Sequence, residues 1–121
     1  MLKERLEQVE IRIANAAARA GRPRSRITLL AVTKKFAASV MREAYELGLR
    51  EFGENYVQEF EAKRTDLADC IDARFHLIGH LQSNKSKKAA EIFDVIQTVD
   101  SSKLARRLDS EQKRLEVMLE V

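Results

Sequence analysis

The sequence predicts an α/β fold of successive parallel βαβ units, led by one extra helix and amounting to roughly half of a (β/α)8 barrel. Three observations predict it. Short, nearly continuous apolar runs recur five times along the 121 residues. Stretches of helical period separate them, and that alternation is the mark of a parallel sheet with crossover helices. A complete (β/α)8 barrel takes at least about 200 residues, so five strands fill about half of one.

The first element is an amphipathic helix over 2–20. Leu2, Leu6, Val9, Ile13 and Ala16 fall on one stripe, with Gly21 as the stop and Pro23 just beyond. Residues 27–33 (Ile-Thr-Leu-Leu-Ala-Val-Thr) read as a strand buried on both faces. A helix over 38–47 follows, with Val40, Met41, Ala44 and Leu47 inward and Gly48 as its stop. The pattern then repeats. A strand at 49–53 precedes a helix at 55–68 carrying Tyr56, Val57, Phe60 and Leu67. A strand at 74–79 precedes a helix at 84–92. A strand at 94–99 leads through Asp100, Ser101 and Ser102, which supply N-cap chemistry, into a helix at 102–114. A last strand is expected over 115–121, inside a single domain spanning 1–121. That run reaches Val121 with no turn or polar tail, so a fragment, a truncated product or half of an assembly is expected.

Composition narrows the function. Hydrophobic residues reach 45%, enough for a packed core, and 4 Gly with 1 Pro favour regular elements over loops. The 22 basic and 19 acidic residues are interspersed, which argues against the clustered footprint of a nucleic-acid binder. No run approaches the ~20 apolar residues of a membrane span, and the charged start is unlike a signal peptide. Cys70 is the single cysteine, so no intrachain disulfide forms. A cytoplasmic protein with no nucleic-acid or membrane partner is expected.

Ligands of parallel α/β folds sit at the carboxyl ends of the strands. The residues there are Thr33-Lys34-Lys35, Gly53-Glu54-Asn55, Gly79-His80 and Thr98-Val99-Asp100. A lysine ending a buried strand has a specific use. Only the neutral amine forms a Schiff base, and an exposed lysine has a pKa of about 10.4. Apolar walls or a second cation, such as Lys35 beside Lys34, lower it. A lysine snorkelling from a strand end is the structural alternative. His76 and His80 do not make a zinc site, because an offset of four along a strand spans about 13 Å. The four glycines cannot write a phosphate loop. The basic run Asn84–Lys88 reads as the start of a solvated helix.

Three segments together carry a resemblance. They are Leu29-Leu30-Ala31-Val32-Thr33-Lys34, Phe52-Gly53-Glu54-Asn55-Tyr56-Val57-Gln58-Glu59, and Phe75-His76-Leu77-Ile78-Gly79-His80-Leu81-Gln82-Ser83-Asn84-Lys85. In order and spacing the chain resembles the YggS/PROSC family of pyridoxal phosphate (PLP) homeostasis proteins, over essentially its whole length. The resemblance implies an alanine-racemase-like (β/α)8 barrel, of which this is the N-terminal half. It implies PLP held as a Schiff base on Lys34, not Lys35, with Asn55 and His76 lining the pocket. It implies a non-catalytic role, holding or delivering the cofactor in vitamin B6 homeostasis. Members of that family are nearly twice as long, and the remaining half holds the glycine- and serine-rich segments that grip the phosphate. Self-association of the half-barrel is therefore expected. Two other readings compete: a racemase-type PLP enzyme, which needs a second acid/base opposite the lysine, and a basic interaction module.

Overall fold

In the computed structural model, which describes residues 1–121, five strands form one parallel sheet in the order β1-β2-β3-β4-β5. The helix α1 (Leu2–Arg19) leads in. Then come β1 (Leu30–Val32), α2 (Ala38–Glu46), β2 (Glu51–Glu54) and α3 (Val57–Arg64). They are followed by β3 (Arg74–Leu77), α4 (Ser86–Ile92), β4 (Val95–Val99), α5 (Ser102–Asp109) and β5 (Glu116–Leu119). The chain thus has the parallel sheet with alternating helices that the sequence predicts. No helix is long and apolar enough to cross a membrane.

The helix stops are where the glycines put them. Gly21 takes φ +68°, Arg22 N–H bonds the Ala17 carbonyl at 2.9 Å, and Gly21 N–H bonds Ala18 at 3.1 Å. That is a Schellman closure. Gly48 (φ +108°) closes α2 the same way, with Leu49 N–H on Ala44 at 3.1 Å. Ser101 caps α5, its hydroxyl accepting from Leu104 N–H at 3.1 Å.

One core lies between helices and sheet. Phe52, Leu77 and Ile96 face Met41, Phe60, Ala89 and Leu104 there. Phe60 packs tilted against Phe75 at 4.6 Å and Phe93 at 4.9 Å between ring centroids. Strand alternation places the other residues on the opposite, inward face. The register aligns Val32, Gly53, His76, Val95 and Glu116 in one row across all five strands.

Several expectations need correction. The run 27–33 yields only a three-residue strand, and Val32 is 49% exposed. β1 has one neighbour, and nothing covers its inward side, so the continuous apolar run is not buried on both faces. In α1 the inward side is Leu2, Leu6, Glu10, Ile13 and Ala17, while Val9 and Ala16 are exposed. On that side the Arg24 guanidinium bonds Glu10 at 2.9 and 3.0 Å. Tyr56 precedes α3 and is exposed. The helix expected to run to residue 114 ends at Asp109. Gln112 takes φ +53°, and Lys113 then bonds the Ala90 and Phe93 carbonyls at the end of α4. β5 is exposed along its whole length.

Candidate functional site

The carboxyl ends of β1 and β2 form the centre of the candidate site. Past β1, Thr33, Lys34, Lys35 and Phe36 make a tight turn, closed by Phe36 N–H on the Thr33 carbonyl at 3.1 Å. Its third residue, Lys35, has φ +66°, a left-handed conformation that a lysine adopts only under constraint. Lys34 occupies the second position and is exposed. It is therefore presented to the space beyond the sheet rather than sealed among apolar walls, as the buried-strand reading expected.

The constraint comes from α3 and β2. Thr33 N–H bonds the Gly53 carbonyl at 2.9 Å, and its hydroxyl donates to Glu54 Oε2 at 2.6 Å. Glu54 is fully buried. The Lys63 ammonium lies 2.8 Å from Glu54 Oε1, off the direction of an aligned hydrogen bond, so this contact is chiefly charge on charge. The same ammonium donates to the Phe36 carbonyl at 2.9 Å and the Thr33 carbonyl at 3.2 Å. It is 3.3 Å from Glu59, one helical turn away. Glu59 also accepts the Lys35 N–H. That bond first, and the Lys63 charge with it, hold the Glu59 carboxyl below its ordinary range against the opposing effect of burial.

Asn55, half-buried, ends β2 beside this turn. Its backbone is pressed against Gly79 at the end of β3. A cleft of about 580 Å3 opens on that side, walled by Asn55, Tyr56, Glu59, His80, Leu81 and Lys85. His80 approaches Asp100 at 3.7 Å on the same rim.

His76 stands apart from Lys34 and Asn55. It is level with Val32 and Gly53 in the register, two residues short of Lys34 and Asn55, or about 6–7 Å deeper. Its Nε2 lies 2.8 Å from Glu51 Oε1, and its Nδ1 lies 3.0 Å from the Gln97 amide nitrogen. A ring with Nε2–H donating to Glu51 and Nδ1 accepting from Gln97 satisfies all three groups. Glu51 also meets Arg74 at 3.3 Å, and Arg74 reaches Glu116 at 2.9 Å. The inward face therefore carries an ordered polar layer beneath the Lys34–Asn55 rim. Sequence reasoning singled out His76 but missed Glu51, Arg74 and Gln97. The signal for the first two was present, since Glu51 shares the inward side of its strand with Gly53, and Arg74 shares its side with His76. Glu54 was placed at its strand end but given no role, and Lys63 was missed; the i,i+4 spacing of Glu59 and Lys63 was its trace.

Comparison with known proteins identifies the family. Residues 5–121 match the family model described as the alanine racemase N-terminal domain. The chain is 46% identical over 112 residues to the pyridoxal phosphate homeostasis protein of Pseudomonas aeruginosa, covering 93% of this chain and 48% of that one. It is 45% identical over 109 residues to the protein of the same name from Escherichia coli K12, covering 88% and 47%. It also resembles the solved structure of PipY of Synechococcus elongatus with PLP bound, at 50% identity and a TM-score of 0.68, over 82% of this chain and 47% of that one. The chain spans about half the length of the relatives it matches. With the family model matched over nearly the whole chain and relatives at 45–46% identity, the chain belongs to the alanine racemase N-terminal domain family.

Proposed function

We propose that this chain supplies the lysine side of a PLP site, with the cofactor attached to Lys34, and that the protein serves cytoplasmic vitamin B6 homeostasis as a holder rather than a catalyst. The observation that carries this reading is the clamped turn. Thr33, Glu54, Glu59 and Lys63 fix the backbone on both sides of Lys34 and leave its side chain free at the strand ends. The aldehyde of PLP supplies an electrophile that a neutral lysine amine takes up as a Schiff base, with loss of water.

The floor of the site suits a flat ring. Gly53 lies between Leu30 and Ile78, and a Cβ there would meet their methyl groups at 3.3 and 3.2 Å. The missing side chain keeps this floor low and apolar. Asn55 adds an amide at the rim. His76 is held by Glu51 and Gln97, which makes it part of the wall beneath. The phosphate is left to loops beyond this chain, since barrel phosphate sites follow strands 7 and 8.

Of the two tyrosines, Tyr45 lies under the Arg50 guanidinium, 4.0 Å from its ring, whereas Tyr56 is exposed beside Asn55 at the strand ends, so turnover decides between holder and racemase. The 22 basic and 19 acidic side chains are interspersed along the chain, which disfavours a nucleic-acid surface.

The test is reductive trapping. The chain is mixed with one equivalent of PLP, reduced with borohydride, and digested for peptide mass mapping. The pyridoxyl group is expected on Lys34 and absent from Lys34→Ala. Predominant labelling of Lys35 would overturn the assignment. Turnover of an amino acid by the whole protein, abolished in Lys34→Ala, would overturn the holder reading.

A further inference from the structure

We infer that the cleft between the loops after β2 and β3 is a binding site for a free α-amino acid, with Lys85 taking the carboxylate and Glu59 the ammonium. The role given to this ligand, release of the cofactor, rests on the reading that Lys34 takes the cofactor.

The rim of the sheet is unevenly satisfied. On its β1–β2 side Thr33, Glu54 and Lys63 are bonded to one another. On its β2–β3 side the polar side chains are free. Asn55, Tyr56, Gln58, Gln82 and Lys85 line the cleft of about 580 Å3, and none of the five contributes a side-chain hydrogen bond to the fold. Lys85 has no carboxylate partner, whereas Lys63 and Lys88 each have two. Val57 and Leu81 give the wall an apolar part. A concave surface at the strand ends, part apolar and with convergent unpaired polar groups, is what a small-molecule site presents.

Glu59 adds the opposite charge to the same cleft. Its Oε1 is committed to the turn, accepting from the Lys35 N–H and from Lys63 at 3.3 Å. Its Oε2 has no partner within the chain. The contacts that hold this carboxyl below its ordinary range keep it ionised at neutral pH. A free cation and a half-free carboxylate on one cleft match a zwitterion. A simple anion meets repulsion from Glu59, and a simple amine meets repulsion from Lys85.

Glu59 also joins the cleft to the cofactor site. One oxygen holds the N–H of Lys35, the residue after Lys34, and the other is offered to the ligand. The ligand's nitrogen is thereby gathered beside the turn that carries Lys34. There it can exchange with Lys34 on the cofactor. A bond forms from the ligand nitrogen to the C=N carbon, and the bond from that carbon to the Lys34 nitrogen breaks. The protons of the ligand's ammonium end on Lys34, which leaves as an ammonium. The exchange consumes no water and no oxidant, so a free amino acid lifts the cofactor off its holder.

The test is an NMR titration of the isotope-labelled chain without PLP. The probes are L-leucine, isocaproate and isopentylamine, which share one aliphatic tail and carry both charges, the carboxylate alone and the ammonium alone. L-leucine is expected to shift the backbone amides of 55–59 and 79–85. It should bind about tenfold more tightly than either analogue, the scale of one charge-assisted hydrogen bond. Lys85→Gln should bring L-leucine down to the level of isopentylamine, and Lys85→Arg should restore it. Lys34→Ala should bind L-leucine as the parent chain does. With PLP added, L-leucine should lower borohydride labelling of Lys34 more in the parent chain than in Lys85→Gln. No shift with L-leucine, equal affinity for the three probes, or tighter binding of inorganic phosphate would overturn the amino-acid site while leaving Lys34 as the attachment point. L-leucine bound in the cleft of a chain whose Lys34 takes no label would keep the site and overturn the functional reading instead.

Discussion

Gly79 lies so close to Asn55 that a methyl group has no room between them: a Cβ on Gly79 would overlap the Asn55 carbonyl and stand 3.0 Å from its Cα. The obstacle is backbone, which cannot rotate aside as a flexible side chain can. Gly79→Ala is therefore expected to push the β2 and β3 ends apart, at a cost of about 1–3 kcal/mol. Urea unfolding should show the loss, and PLP trapping on Lys34 should weaken because Asn55 moves with it. A variant as stable as the parent, with unchanged trapping, would show that the two loops can separate freely.

Phe60 is the centre of the aromatic core, packed tilted against both Phe75 and Phe93 and almost wholly buried. Phe60→Ala is expected to destabilise by about 3–5 kcal/mol, a large share of the ~5–15 kcal/mol that a domain holds. The urea midpoint reports it. A shift under a third of that size would mean that α3 collapses into the cavity.

The clamp on Lys34 is expected to loosen in acid. The Lys35 N–H, and Lys63 after it, hold the Glu59 carboxyl below its ordinary value of 4.5. A folded pKa below the unfolded one means that the stabilisation is complete above 4.5 and disappears as pH falls through the lower, folded value. Titration of the Glu59 carboxyl by NMR should give a midpoint under 4.5, and Lys63→Met should raise it. A midpoint above 4.5 in the wild-type chain would contradict the contacts described for Glu59.

The 121-residue chain alone is expected to self-associate. β1 and β5 are open edges, and Val32, Met118 and Leu119 lie exposed on or beside the uncovered face. Unpaired strand edges with apolar side chains recruit further strands. Sedimentation at micromolar concentration should show dimers or larger species. A single monomeric species across that range would disprove it.

Much of this was legible in the residues. The five strands followed from apolar runs, and the stops at Gly21 and Gly48 from the need for positive φ at the end of a helix. Lys34 and Asn55 could be placed at strand ends because parallel sheets put ligands there. The network around Lys63 was not legible in the same way. Its partners lie at positions 33, 36, 54 and 59, and only the packing of α3 across the ends of β1 and β2 brings them together. The burial of β1 was overestimated for a related reason. An apolar run records what a strand is suited to, whereas exposure depends on which neighbours are present, and β1 has β2 alone. In α1 the apolar spacing places Leu2, Leu6 and Ile13 correctly, but Glu10 and Ala17 face inward in place of Val9 and Ala16, and a stripe of this width does not fix the rotation to one position.

The pair between Arg74 and Glu116 crosses over β4, joining strands that are not neighbours. Each raises or lowers the other's proton affinity in the sense that keeps both charged. Side chains alternate along a strand, so a slip of β5 by one residue would turn Glu116 to the outer side and offer Val117 or Leu115 to the guanidinium instead. The arginine would then be left without its second carboxylate, and the glutamate would face the apolar side of α5. The pair thus works as a proofreading device for assembly: it detects misalignment two strands away, where backbone hydrogen bonding, identical in every frame, cannot.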